Sequence, residues 1–265
     1  MGDPTGKESL AMTDQGRQRV ALVTSGGVRI GRAISEALAH DGYDLLIPYR
    51  SSSAAAEEVA SAVRESGRRA ETVSVDLAEP AAAEALAEAI RTHFGRLDVL
   101  VNSAASFQAV PLLDVDAAEW DAVMAVNLRA PHLIVRALAD LLRDVRGCVI
   151  NITDLSAFHA WSEYPHHAVS KAGLAHLTRV QARTLAPEIR VNAIAPGAVL
   201  PPDDWAPERW DALAQRAVLG RVGSPHDVVQ AVRYLIAAEF VTGHVLPVDG
   251  GRLLGPKGPP ASGDE

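Results

Sequence analysis

Asp154, His167 and Lys171 are the side chains of this sequence best suited to chemistry, and all three lie between Val149 and Leu174, in VINITDLSAFHAWSEYPHHAVSKAGL. An apolar run ends at Asp154, a loop rich in histidine and aromatic residues follows, and a helical pattern then carries His167 and Lys171 four residues apart. That spacing puts the two on successive turns of one helix face, so an ammonium is expected beside an imidazole. Open parallel sheets collect ligands at the carboxyl ends of their strands, where Asp154 falls. Together the three groups suit proton transfer beside a bound cofactor. Taken alone, they also describe a solvated helix face next to a strand-end carboxylate.

The rest of the chain must position this stretch. Short apolar runs alternate with amphipathic helical patterns, which implies parallel pairing and right-handed crossovers. The expected architecture is α/β: a Rossmann-type, doubly wound parallel sheet of about seven strands with helices on both faces, in a single domain over residues 19–254. Residues 1–18 read as a disordered lead-in and 255–265 as a disordered tail rich in Gly, Pro and Ser.

The first strand, VALVT, runs into the turn SGGVRIG and then a helix. Ser25, Gly26, Arg29, Ile30 and Gly31 belong to that turn, whose glycines let backbone approach a pyrophosphate at a helix amino end. The second strand, DLLIPY, ends at Tyr49 and is followed by Arg50, Ser51 and Ser52. NAD-preferring folds usually place an acid here, whereas a cation and two hydroxyls suit the 2′-phosphate of NADP. A serine-capped polar turn is the competing reading. Asp76 and Leu77 end the third strand, where an adenine edge would meet them. Phe107, in the loop SAASFQAVPL, either stacks on a flat heterocycle or plugs its loop onto the sheet. Asn127 falls among apolar neighbours in a long helix from about Ala117 to Leu142, as a structural bridge or part of a proton relay. The strand IRVNAIA leads into Pro196 and Gly197, and a loop over about 198–218 is a candidate substrate loop. Ser224 and Pro225 read as the cap and first turn of the last helix.

A net charge of -8 and a pI near 5.6 argue against a nucleic-acid partner. The single cysteine, Cys148, sits in an apolar strand and reads as inert core in a reducing compartment. No apolar run stands out as long enough to span a bilayer, Met1 to Gln18 is polar, and no metal-binding pattern is present, so a cytoplasmic protein acting on a small molecule is expected.

From Val20 to Leu254 the chain resembles the short-chain dehydrogenase/reductase family. The likeness rests on the glycine turn, Asp76, Asn102 with Ala104, Asn127, the residue pair ending in Lys171, Pro196 with Gly197, and VDGG near the end. Within that family it is most similar to the pteridine reductase and dihydromonapterin reductase branch. The carriers are Arg29 in place of the turn's middle glycine, the YRS run, Phe107 in SAASF, NLRAP around Asn127, Asp154 where the family usually has serine, and FVTGHVLPVDGG. The resemblance implies an NADPH-dependent reductase of a pterin or other flat heterocycle. It assigns cofactor contacts to the turn, to Tyr49 through Ser52, Asp76, Leu77, Asn102, Ser103, Ala104, Lys171, Pro196 and Gly197. Arg29, Phe107, Asp154, Tyr164 and His167 are assigned to substrate, and Asp154, His167, Lys171 and Asn127 to catalysis. A homotetramer packed through the two long helices is also implied.

Three departures stand out. Ser25 replaces the first glycine of the turn, with Gly26 adjacent to keep it tight, and Ser103 replaces the second Asn of the family's NNA motif. His167 stands thirteen residues after Asp154, at the position of the family's catalytic tyrosine, with Tyr164 one turn earlier. A histidine there must carry a proton to act as an acid, and an imidazole ordinarily titrates near about 6.5. Two other functions stay open: an NADP(H)-binding protein without turnover, and a short-chain reductase of a carbonyl compound.

Overall fold

A computed structural model describes residues 18–201 and 205–255. The lead-in expected over 1–18, except Gln18, the loop residues Pro202, Asp203 and Asp204, and the tail after Gly255 lie outside the described residues. Seven strands form one sheet: β1 (Val20–Val23), β2 (Asp44–Tyr49), β3 (Ala70–Ser74), β4 (Val99–Asn102), β5 (Cys148–Ile152), β6 (Arg190–Pro196) and β7 (Val245–Val248). Their order is β3-β2-β1-β4-β5-β6-β7, and every pairing is parallel. The order reverses between β1 and β4, so a crevice opens beyond their carboxyl ends.

The helices are α1 (Arg29–His40), α2 (Ser53–Glu65), α3 (Ala82–His93), α4 (Ala117–Met124), α5 (Ala130–Asp144), α6 (Pro165–Leu185), α7 (Pro207–Asp211) and α8 (Pro225–Ala237). The strands alternate between two cores. Ala21, Val23, Val99 and Val101 face Ile34, Leu38, Val59 and Val232 of α1, α2 and α8, while Val20, Leu22 and Leu100 face Leu86, Ile90, Ile134 and Leu138 of α3 and α5. Burial on both faces explains why the strands read as continuous apolar runs.

The start of α8 is capped by Ser224, as the sequence suggested, and α4 has a cap of the same kind. Ser224 and Asp227 form a reciprocal capping box on α8, and Asp116 and Glu119 do the same on α4. Ser52 precedes α2 but caps it with no side-chain hydrogen bond, so the capping reading of that serine fails.

Two expectations need correction. The long helix does not run evenly from Ala117 to Leu142: a wider turn over Ala125–Arg129 separates α4 from α5, and Asn127 lies within it. Such turns add one residue to the ring and rotate the side chains that follow, which is how a buried Asn is aimed inward here. The combined segment Ala117–Asp144 is also long and apolar enough to cross a bilayer by length and composition. Its apolar stripe, with Ile134, Leu138 and Leu142, packs against the sheet, so core packing accounts for that composition.

Candidate active site

Directly after β1 comes Thr24, whose Oγ1 accepts the backbone N–H groups of Ser103 and Ala104 at 2.9 Å each. One hydroxyl thus ties together the two loops that flank the crevice. A Cβ on Gly31 would lie 2.3 Å from the Ser25 carbonyl oxygen, and one on Gly27 would lie 2.7 Å from the backbone nitrogen of Ala56. Neither position admits a side chain without moving backbone. Val28 precedes α1 without a side-chain cap and no acid occupies its first turn, so the helix amino end keeps N–H groups available for an anion.

At the end of β4 the Asn102 amide donates to Asn151 Oδ1 at 2.8 Å, and the Asn151 amide donates to Thr178 Oγ1 at 2.9 Å. Asn102 Oδ1 is buried and has no hydrogen-bond partner among the described residues. Gly197 donates its N–H to the Val248 carbonyl at 2.9 Å, holding the Pro196–Gly197 corner against β7. At the end of β2 Tyr49 is half-buried and Arg50 is exposed, with Arg50 Nη1 3.9 Å from Asp76 Oδ2. Asp76 Oδ1 accepts the Ala78 N–H at 2.9 Å, while β3 has already stopped at Ser74, so Asp76 and Leu77 occupy the loop beyond it.

β5 delivers Asp154 two residues past its last paired position, and α6 brings His167 back to it. His167 is only 2 % exposed; its Nε2 lies 2.6 Å from Asp154 Oδ2 and its Nδ1 lies 3.0 Å from the Ser106 carbonyl oxygen. Nε2 thus faces a carboxylate oxygen, and Nδ1 faces a carbonyl oxygen and lies 3.4 Å from the Asn127 amide nitrogen. Asp154 Oδ1 accepts from the Ser156 N–H at 2.8 Å and the Ser156 hydroxyl at 2.5 Å. Burial pushes the Asp154 carboxyl up, but the bond to His167 and the Lys171 charge outweigh it and hold the group below its ordinary value.

The expected pairing of His167 with Lys171 does not form. The Lys171 ammonium is buried and donates to the Ile152 carbonyl at 2.8 Å, at the end of β5. Burial lowers its pKa, and the nearby Asp154 charge opposes that shift. The solvated-face reading fails as well, because both residues point into the protein.

Asn127 is a clasp. Its Oδ1 accepts the Ser106 N–H at 2.7 Å, while its Nδ2 donates to the Ser106 carbonyl and to Ser170 Oγ at 3.0 Å each. It thereby fixes the carbonyl that holds His167. Phe107 follows directly, its ring stacked on Tyr164 at 4.3 Å and set edge-on to His167 at 4.7 Å. Phe107 thus plugs its loop onto the start of α6 rather than onto the sheet, and with 46 % of its surface exposed it remains at the mouth of the site. Arg29 reaches across the crevice, donating to the Pro201 carbonyl at 2.9 Å.

A family profile described as enoyl-(acyl carrier protein) reductase matches residues 27–252. The chain belongs to the short-chain dehydrogenase/reductase family. An uncharacterized oxidoreductase of Mycobacterium tuberculosis is 37 % identical over 88 % of this chain and 91 % of its own length. A short-chain dehydrogenase of Burkholderia cenocepacia, solved in complex with NADP, is 33 % identical with a TM-score of 0.84, covering 89 % of this chain and 98 % of the other. An angucycline C-6 ketoreductase with bound NADP is 31 % identical with a TM-score of 0.83, covering 89 % and 96 %. The chain is an oxidoreductase of this family.

Against the short-chain dehydrogenase/reductase pattern, the substituted turn glycines keep glycine-like backbone. Ser25 has φ 55 and Arg29 has φ 50, so Ser25 itself adopts the left-handed conformation and Gly26 does not take over that role. Thr24, Ser106, Ser156 and Ser170 are the site residues that sequence reasoning passed over. Thr24 and Ser156 flank assigned residues, which is a signal of sorts, but Ser106 acts through its backbone and carries no side-chain signature.

Proposed function

We propose that the protein is an NADP(H)-dependent reductase of a carbonyl compound, with Asp154 and His167 supplying the proton. The observation that carries this reading is the 2.6 Å contact between these two groups, beside a crevice whose glycine turn and uncapped helix suit a pyrophosphate. The cofactor assignment is supported by the NADP complexes among the solved relatives and by Arg50 at a β2 end that lacks an acid. Asn102 Oδ1 offers a buried acceptor, without a partner among the described residues, at the same crevice. Ser51, Ser52, Ser103, Pro196 and Gly197 are proposed to form the rest of the cofactor path. The bound nicotinamide would supply hydride to the substrate carbon.

The proton comes from the protein. Asp154 is the more exposed member of the pair, at 19 % against 2 % for His167. As negative charge develops on the substrate oxygen, the His167 Nε2–H bond breaks and its proton passes by way of the Asp154 Oδ2 carboxylate oxygen to the substrate, where the new O–H bond forms. The ring is left neutral, its Nδ1–H still donated to the Ser106 carbonyl, and solvent restores the second proton. Lys171 favours the ionised carboxylate between turnovers.

The ketoreductase among the solved relatives supports a carbonyl substrate. A flat heterocycle of the pterin type is the second reading, favoured by the half-exposed Phe107 and its stack on Tyr164. NADPH oxidation against ketones, quinones, dihydropterins and dihydrofolate separates them. Turnover of ketones that falls at least tenfold in both His167→Ala and Asp154→Asn supports the proposal, together with a rate in the wild type that rises as pH drops toward about 6. Activity that survives His167→Ala and collapses in Tyr164→Phe would move the acid to Tyr164. Cofactor binding with no turnover of any substrate would make the protein a binder.

Self-association through α4–α5 and α6 is also proposed, as a homotetramer. Val169 and Val180 leave 51 % and 48 % of their surface exposed on α6. They lie about three helical turns apart on one face. Light scattering that reports a monomer at micromolar concentration would overturn this.

A further inference from the structure

We propose that a second site, apart from Asp154 and His167, binds a small oxyanion through Arg252. A cavity of ≈ 320 Å³ lies between the carboxyl end of β7 and the segment that leads into α8, within the usual size of small-ligand sites. Leu219, Val222, Arg221, Asp227, Asp249 and Arg252 are part of its wall. In the sheet, β7 is separated from β5, which carries Asp154, by the whole of β6.

Three of the four charged groups on the wall are matched inside the protein. Arg221 holds Asp227 at 2.9 Å and 3.1 Å, and Asp227 also receives the Ser224 N–H at 2.7 Å and hydroxyl at 3.0 Å. Asp249 accepts the N–H groups of Gly251 and Leu253 at 2.8 Å and 2.7 Å, which closes the turn after β7 and satisfies both carboxylate oxygens.

Arg252 is the exception. It is half-buried on that same turn, and among the described residues it has neither a hydrogen bond nor an ion pair. Burial and the like charge of Arg216 both disfavour its cation, with Asp249 opposing them only at a distance. Arg216 likewise has no partner among the described residues. A half-buried guanidinium on a cavity wall, without a partner among the described residues, is an arrangement that a phosphate or carboxylate relieves, since its planar fork can donate two bonds to an oxyanion.

The test uses the full chain and inorganic phosphate as probe, with thermal unfolding followed against sodium chloride of equal ionic strength. Running it with and without saturating NADP separates this site from the cofactor's own phosphate contacts. A saturable rise in midpoint is expected in both cases. Arg252→Gln should weaken phosphate roughly tenfold to hundredfold, the range for a charge-assisted bond. Arg143→Gln, on the far end of α5, should leave it unchanged. Arg252→Gln removes an unmatched charge and should fold normally; Arg252→Lys, which keeps charge and loses the fork, gives an independent reading. Equal phosphate responses in wild type and Arg252→Gln, or the same response to chloride, would overturn the site. Turnover identifies the source of the anion: a KM increase in Arg252→Gln for a keto acid but not for its methyl ester assigns the site to a substrate carboxylate, and unchanged KM values with weakened phosphate assign it to a free oxyanion. Because the phosphate measurement needs no catalysis, it stands whatever the redox reaction proves to be.

Discussion

His167 bonds to Asp154 through Nε2 at 2.6 Å, while its Nδ1 faces the Ser106 carbonyl at 3.0 Å. The ring therefore bridges the end of β5 to the loop after β4, and Asn127 fixes the far side of that bridge. Chemistry at Asp154 depends on a carbonyl 48 residues upstream in the chain.

The Asp154 carboxylate should stabilise the fold in a pH-dependent way. Its folded pKa lies below the ordinary value, held down against burial by His167 and Lys171. Such a group contributes stability above its unfolded pKa of about 3.9 and loses it as pH falls through the folded value. Asp154→Asn should cost about 1–3 kcal/mol at pH 7, and the difference from wild type should shrink toward pH 3. Urea unfolding across that range measures it; a constant difference would contradict the argument.

His166 should have the same pH sign for a different reason. It is fully buried, both ring nitrogens lack partners among the described residues, and burial lowers its pKa against the opposing charge of Glu119. The neutral ring is favoured in the fold, so its contribution is complete above the unfolded pKa of about 6.5 and is lost as pH falls toward the lower folded value. His166→Leu should remove that slope and raise stability by about 1 kcal/mol, since a buried polar group without partners is costly. Unfolding midpoints at pH 5.5 and 8 provide the comparison.

Arg50 should set cofactor choice. It is exposed at the β2 end, 3.9 Å from Asp76, and available to a 2′-phosphate. Arg50→Ala should weaken NADPH roughly tenfold to hundredfold and leave NADH almost unchanged. Fluorescence titration of both cofactors decides, and equal losses for the two would refute the role.

Gly31→Ala should disrupt the first turn of α1. The added methyl would sit 2.3 Å from the Ser25 carbonyl oxygen, a backbone atom with nowhere to retreat. A loss of about 1–3 kcal/mol is expected from overpacking, together with weaker cofactor binding. Ser25→Gly should do the reverse to the backbone, relieving a φ of 55 that a side chain resists. Denaturant midpoints of both variants test the pair.

Much of this protein was legible in its sequence because the signals were local. Doubly buried strands such as Val20–Val23 read as apolar runs, the turn around Gly26 and Gly31 announced a strand-to-helix corner, and the Ser224 cap marked the start of α8. The family likeness followed from the same short motifs. Spacing also put Asp154 and His167 at one end of the sheet.

Which groups touch there was decided only by tertiary structure. A spacing of four places His167 and Lys171 on one helix face but does not choose their partners, and packing sent the ammonium to the Ile152 carbonyl and the imidazole to Asp154. The wide turn at Asn127, the Ser106 carbonyl and the unmatched Arg252 have no side-chain pattern of their own. They arise because backbone polar groups and charges must find partners wherever the sheet and its crossovers bring them together, and that accounting closes only in three dimensions.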